Sequence, residues 1–204
     1  MVTPEPCPAP RVCLDPLPLA LLDRPLEFLV ADHFRQRCVC AALRSFARTG
    51  EALISDAQAV AGYLHHDLPL HHRDEDEDLF PVLLRRTRAE DDLGALLTRL
   101  GADHVRAEAK VPVLIDGLTA PVLDHTLHLD QGLCATMLAY AASEHRHLAL
   151  ENGVVLAIAR VRLDAGDLAA VAHGMKTRRG VTDDRRTGMP PRLLSATFLF
   201  GASA

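Results

Sequence analysis

The sequence predicts an all-α protein: an antiparallel up-down-up-down four-helix bundle with a short fifth C-terminal helix and irregular tails. Three observations point there. Apolar residues fill 49% of the 204 positions while aromatics are only 4% and Trp is absent, so the core must rest on Leu, Ala and Val. Unbranched Leu and Ala lose little rotamer freedom in a helix. Apolar positions then recur at helical spacing along four long stretches, and the connections between them are fairly short, which suits helices that double back on their neighbours.

Residues 1–20 form a Pro-rich N-terminal arm, with Pro4, Pro6, Pro8, Pro10, Pro16 and Pro18. A first helix is expected over about 25–48, with Pro25 in its first turn and Gly50 just past its end. Leu26, Leu29, Val30, Phe34, Leu43 and Phe46 can share one face of it. A second helical stretch runs over about 51–88, kinked near Pro69 and bent again at Pro81. The third begins near Asp91 and Asp92, whose carboxylates suit a helix N-terminus, and continues to about Gly117 despite Pro112. After a connection around Pro121, a long fourth helix covers about 128–163. Asp164-Ala-Gly-Asp167 opens the fifth, to about Arg179. The bundle is thus assigned to 21–179 and an irregular tail to 180–204, ending in an apolar segment, Leu193 to Phe200, suited to docking on the bundle or on a second subunit in a homodimer.

A formal net charge of −5 argues against a general nucleic-acid binder. The late basic run, Lys176-Thr-Arg178-Arg179 and Arg185-Arg186, is interrupted by Asp183 and Asp184 and lacks aromatic stacking partners, so it reads as a solvated tail. Five cysteines, at 7, 13, 38, 40 and 134, show no paired spacing and read as free thiols in a reducing compartment. The N-terminus lacks a basic region followed by a long apolar run. No apolar stretch is long enough to span a bilayer. The expected location is cytoplasmic, with no membrane partner.

The chemistry lies in eleven histidines. His71 is followed four places on by Glu75, His104 by Glu108, and His147 by Glu151. With nine glutamates in the chain, chance supplies about 0.5 such pairs against the helical template; three are present. Residues i and i+4 lie one turn apart on one helical face, so an imidazole nitrogen and a carboxylate oxygen can reach one metal, or two if the carboxylate bridges. A single pair is more often a surface ion pair. Together with His33 on the first helix, however, each of the four helices carries a candidate, and an antiparallel bundle can bring them to one level of its core. Leu64, Leu68 and Leu79 near His71, and Tyr140, Leu150, Val154 and Ile158 near His147, favour inward orientation. A buried imidazole or carboxylate needs a partner or a metal. Four imidazoles and two carboxylates suit iron, manganese or zinc.

The stretch from about 25 to 179 resembles the hemerythrin-like domains named for their His-His-Glu cation-binding motif. The resemblance rests on ADH around His33, HHRDEDEDLFP, ADH around His104 and HLALEN; the run LDAGDLAAVAHGMKTRRG looks like the short closing helix of many bacterial members. It implies that His33, His71, Glu75, His104, His147 and Glu151 bind two non-haem irons, with the glutamates bridging. Oxygen-carrying hemerythrins use more histidines, and Glu108 stands where a second His of the third helix would fall. The resemblance is therefore to the four-His, two-Glu branch, and it implies binding or sensing of O2, NO or a related oxidant more than dedicated enzymatic turnover. Iron–sulfur cluster repair or iron delivery, and a metal-free helical interaction module, are the alternatives. The repair proteins sharing this domain carry a paired-cysteine domain that Cys7 and Cys13 do not reproduce. His72 with Asp76 offers a second register one residue on; His71 with Glu75 is preferred because Glu75 precedes Pro81 by six residues, as the family pattern has it. His72 is expected outside the ligand set, Glu144 and His145 beside it or in solvent, and His125, His128 and His173 on the surface. Asp74, Asp76, Glu77 and Asp78 read as a solvated acidic face that enriches cations nearby.

Overall fold

The computed structural model describes residues 12, 14–122 and 124–181; most of the Pro-rich arm, the tail from 182 and its apolar Leu193 to Phe200 segment lie outside the described residues. What is described is mostly helical. A 3-10 turn, Leu19–Asp23, leads into α1 (Pro25–Thr49), which has Pro25 in its first turn and stops where Gly50 adopts φ 74°, a left-handed conformation that costs glycine least. Two three-residue strands, β1 (Glu51–Leu53) and β2 (Thr126–His128), pair antiparallel with Ala52 opposite Leu127. This small ladder was not foreseen. Residues 51–53, assigned to a helix from sequence, pair there instead because Gly50 has already turned the chain.

The second helix, α2, covers 54–86 with two π-helical turns, Tyr63–Asp67 and Asp74–Leu79, between the α-helical pieces Ile54–Gly62, Leu68–Arg73 and Phe80–Arg86. Each π turn ends just before a proline, Pro69 or Pro81. Proline lacks the N–H and crowds the carbonyl four residues back; widening the preceding turn absorbs both without breaking the helix. After a 3-10 turn, Ala89–Asp91, α3 (Leu93–Glu108) follows. The expected capping carboxylates do not cap it: Asp92 has φ 45° and makes no side-chain cap bond, and Asp91 is bound to Arg162 instead. Nor does α3 run to Gly117. The helix breaks at Ala109 and Lys110, and α4 (Val111–Leu118) restarts with Pro112 in its first turn, where the missing N–H costs nothing. Helix α5 covers 131–162. It comprises Gln131–Leu150, the π turn Glu151–Val155 and Leu156–Arg162, and Asp130 caps it by accepting from the Leu133 N–H at 2.9 Å. Helix α6 (Ala165–Arg178) opens on a reciprocal Asp164–Asp167 capping box, as its sequence suggested.

Side-chain pairs give the relative directions. His33 and Arg44 of α1 meet Glu151 and Ala141 of α5, so the two helices run antiparallel. Asp32 and Arg35 meet His71 and Asp67, reversing α2 against α1. His72 and Asp76 meet Glu108 and His104, reversing α3 against α2. Two apolar cores result. One gathers Val39, Leu43, Phe46, Val60, Leu64, Leu68, Leu114, Met137 and Tyr140; the other gathers Leu22, Leu29, Leu79, Leu83, Leu100, Leu156, Val171 and Met175. On α1, α2 and α3 the buried residues between the two cores are polar, and on α5 they include Glu144, His147 and Glu151. No described helix is long and apolar enough to cross a membrane.

Candidate metal centre

That polar layer holds all six sequence-predicted residues. His33, Glu75 and Glu151 are fully buried, and His71, His104 and His147 are 1%, 2% and 4% exposed. They fall into two groups whose candidate ligand atoms lie within 4.8 Å of one another: His33, His71, Glu75 and Glu151, and Glu75, His104, His147 and Glu151. Both groups contain the same two glutamates. His33 Nε2 lies 3.4 Å from Glu75 Oε1 and 3.4 Å from Glu151 Oε2. His104 Nε2 lies 3.4 Å from Glu75 Oε2 and 3.5 Å from Glu151 Oε1. His71 Nε2 is 3.5 Å from Glu75 Oε2, and His147 Nε2 is 2.7 Å from Glu151 Oε1.

Local structure aims these groups. Each His–Glu pair spans one turn of α2 or α5, and each glutamate sits in a π turn, Glu75 in Asp74–Leu79 and Glu151 at the start of Glu151–Val155. A π turn shifts the register of every following side chain relative to the preceding turn, which lets His and Glu converge while the apolar stripe beyond them still faces the core.

The fit to a cation can be judged from the donor atoms. Both nitrogens of His33, Nε2 of His71, and all four carboxylate oxygens of Glu75 and Glu151 are buried without an aligned hydrogen-bond partner. Buried polar atoms are nearly always satisfied, and burying a carboxylate unpaired costs far more than burying a neutral group. Apart from His104 Nε2 and His147 Nε2, which pair at 3.0 Å, these side chains approach to 2.7–3.5 Å without aligning as donors and acceptors, as groups aimed at a common centre do. Four imidazoles and two carboxylates suit a first-row transition metal.

Electrostatics agree. Burial alone would push the Glu75 carboxyl up, but His71, His104 and His33 outweigh it and hold it well below the usual range. Burial and Glu75 push Glu151 up, and His104 and His147 overcome them. Burial disfavours charge on His71, yet Glu75 and Asp32 lift it to about 9; His104, against Asp76, Glu151 and Glu75, is lifted to about 12. A cation held here takes the place of imidazole protons, so its affinity rises with pH.

Around the six stands a ring that sequence reasoning missed or misread. Asp32 Oδ2 faces His71 Nδ1 at 3.1 Å; the same carboxylate accepts from Tyr63 Oη at 3.0 Å and from Arg35 Nη1 at 2.8 Å. Asp76 Oδ2 pairs with His104 Nδ1 at 3.0 Å. A carboxylate on the far nitrogen fixes the tautomer and orientation of a ligating imidazole. Asp32 had been noticed only as part of ADH, because its reach is to a different helix. His72, 2% exposed, stacks on His104 at 4.1 Å and bonds Glu108 at 2.8 Å. It supports the centre from outside the six, and so does Glu108. Burial lowers the His72 pKa to about 4, so it stays neutral.

The acidic run is only in part a solvated face, with Asp76 and Glu77 exposed, and the start of the basic run is not a solvated tail. Asp74 is fully buried and held by Arg178 and by a two-pronged contact from Arg179, at 2.9 and 2.6 Å. Arg178 also reaches Asp78, Glu77 and the Arg73 carbonyl. These contacts tie α6 to the π turn that carries Glu75. Gly174 permits the approach, since a methyl group there would collide with the Asp78 carboxylate. His65, His66, His125, His128, His145 and His173 are exposed and stand apart from the centre; Glu144 is buried beside it.

The hemerythrin HHE cation-binding domain family matches residues 24–159, a span that contains all six residues. The chain belongs to this family. It is also similar to an uncharacterized protein of Haemophilus influenzae, 24% identical over 176 residues that cover 83% of this chain and 98% of the relative. Both His–Glu groups that could hold a metal ion lie within the matched span.

The orientation of His71 gives a test of the surrounding ring. Asp32→Asn keeps the shape but removes the charge that faces Nδ1, and is expected to weaken cation affinity by about 10- to 100-fold. Competition against a chromophoric chelator measures it, with circular dichroism as a check on folding. Unchanged affinity would mean that packing alone orients His71.

Proposed function

We propose that residues 21–179 form an antiparallel four-helix bundle closed by α6, that His33, His71, Glu75, His104, His147 and Glu151 hold two iron ions within it, and that the protein binds or senses O2, NO or a related oxidant there. The observation that carries this reading is the sharing of Glu75 and Glu151 between two otherwise separate His pairs. Two carboxylates common to two donor sets are the arrangement expected of bridges, and they offset part of the charge of two close cations. Antiparallel pairing of α1 with α5, α2 with α1, and α3 with α2 supports the bundle topology.

Bound iron would supply reversible electron transfer and coordination positions that six protein ligands leave open for a small molecule. The chain's own residues do the rest. Asp32 and Asp76 hold two imidazoles in the ligating tautomer, the apolar cores on either side exclude bulk water, and α6 holds the turn bearing Glu75. Cys38, Cys40 and Cys134 are free thiols, consistent with a reducing, cytoplasmic setting.

Metal analysis of the purified protein, joined to visible spectra taken without and with oxygen, tests the reading. The expected result is about two irons per chain, by the donor count of the two groups, with a reversible ligand-dependent band. Manganese or zinc in iron's place would overturn the redox assignment and keep the site. Less than one metal per chain would overturn the site itself.

A further inference from the structure

The two His–Glu groups meet the surface differently. On the His104–His147 side, carboxylates that solvent reaches lie directly against the imidazoles. Asp76, its side chain 39% exposed, has Oδ2 3.0 Å from His104 Nδ1, and Asp103, 27% exposed, has Oδ2 3.9 Å from His147 Nδ1. That His147 nitrogen is buried without a hydrogen-bond partner. One imidazole therefore separates these carboxylates from the shared glutamates: His104 Nε2 lies 3.4 Å from Glu75 and 3.5 Å from Glu151, and His147 Nε2 lies 2.7 Å from Glu151. Exposed Glu108, bonded to the His72 ring that stacks on His104, adds negative charge here. Asp103 also accepts from Arg106 and has Arg99 at 4.0 Å, but both arginines are exposed and free to turn into solvent. The His33–His71 side is closed. Among the described residues, the carboxylate outside the six that meets this group is Asp32, 4% exposed and covered by the Tyr63 hydroxyl and the Arg35 guanidinium. Arg35, 9% exposed, is itself tied to Asp67 and the Leu14 carbonyl. A cation approaching there meets a fixed positive charge.

We propose that cations enter and leave the centre between Asp76 and Asp103, past His104 and His147, so that the cation of this group exchanges first and the one held by His33 and His71 follows through the vacated seat. The proposal rests on the cation-binding reading above and gives that site an entrance and an order. Asp103 draws the cation in and His147 takes it over, while Glu75 and Glu151 stay in place. Turning one imidazole opens this wall. Opening the other side means parting α1 from α2 and breaking the contacts of Asp32 with His71 and of Arg35 with Asp67, and separating packed helices costs more than turning one side chain. Gly101 marks the entrance. It stands one turn before His104 on α3, and a Cβ there would come 3.4 Å from Asp76 Oδ1, so a larger side chain at 101 reaches over the path.

The test loads the full-length protein with ferrous iron in the absence of oxygen and follows release to excess ferrozine. Two phases are expected, with rates at least about tenfold apart, since the second cation waits on the first or on local opening of the bundle. Gly101→Leu should slow the faster release phase and the matching uptake phase alike, by about tenfold, as for a step made to wait on local opening. The final iron content should stay the same, because an obstructed path slows both directions equally. Gly94→Leu lies on the same helix, where a Cβ meets nothing within 4 Å, and should leave both rates unchanged. Asp103→Asn should slow uptake by about threefold or more and flatten its dependence on salt, as loss of a steering charge does; it carries the test alone if Gly101→Leu does not fold. A single release phase, or a fast phase and a salt dependence indifferent to both substitutions, would overturn the entrance while leaving the cation site intact. A lowered iron content at saturation in both variants would overturn it too, by making these positions part of the seat and not of the path. Iron that does not bind to the unmodified protein at all would instead defeat the underlying reading.

Discussion

Glu151→Gln is expected to lose at least one cation per chain and to lower the stability of the cation-loaded protein by about 4 kcal/mol, the linkage expected when a ligand present at a thousand times its dissociation constant is lost. The substitution keeps the volume of a fully buried side chain, so it opens no cavity. It removes the charge and one of the two oxygens of a carboxylate that belongs to both groups. The decisive measurement is calorimetry of both proteins with and without a strong chelator, alongside metal analysis. With cation present the gap should be wide. After chelation it should narrow, because what remains is the loss of pairing with His104 and His147 set against relief of the repulsion that Glu75 exerts on Glu151. Full cation content in the variant, or a gap indifferent to chelator, would remove Glu151 from the ligand set. Glu75→Gln should behave alike, since Glu75 belongs to both groups.

The six residues were legible because the information that places them is local. A His and a Glu one turn apart must share a face in any helix, and the apolar stripe on either side decides that the face points inward. The helices themselves were legible for the same reason, with Pro25, Gly50 and the Asp164–Asp167 box marking their ends. What was not legible depends on partners distant in sequence. Asp74 looks like one member of an exposed acid run until Arg179, 105 residues later, is seen to bind it. Asp32 serves His71 on another helix, and Asp76 serves His104 on a third. The β1–β2 ladder joins segments some 75 residues apart. The pairing of His104 with Glu108 misled in the opposite sense: the spacing is right, but Glu108, half-exposed, turns away to His72. The prolines read as kinks each follow a π turn that the sequence did not reveal, and the one before Pro81 carries Glu75. A helix can thus hold a ligand at a distorted turn without ending there.

Arg179→Ala is expected to destabilise the protein by about 2–3 kcal/mol and to weaken cation affinity without touching a ligand. Removing one partner of a buried ion pair leaves an uncompensated charge, at a cost of roughly 3–5 kcal/mol. Here the cost falls toward or below the lower end, because Arg178 still reaches Asp74 at 3.1 Å. Part of the loss is packing rather than charge, since the guanidinium also lies over the Phe28 ring at 4.9 Å. The effect should propagate to the centre because Asp74 immediately precedes Glu75 in the same π turn: a carboxylate seeking water pulls on the turn that aims the ligand. Calorimetry and chelator competition read the two consequences separately, and a double variant separates the causes. In Asp74→Asn with Arg179→Ala the buried charge is gone, so cation affinity should recover most of the way, while the Phe28 packing term persists in the melting temperature. If affinity stays low in the double variant, the clamp acts through packing alone. If Arg179→Ala leaves both readings unchanged, Arg178 suffices to hold the turn and α6 packs against it without tuning the site.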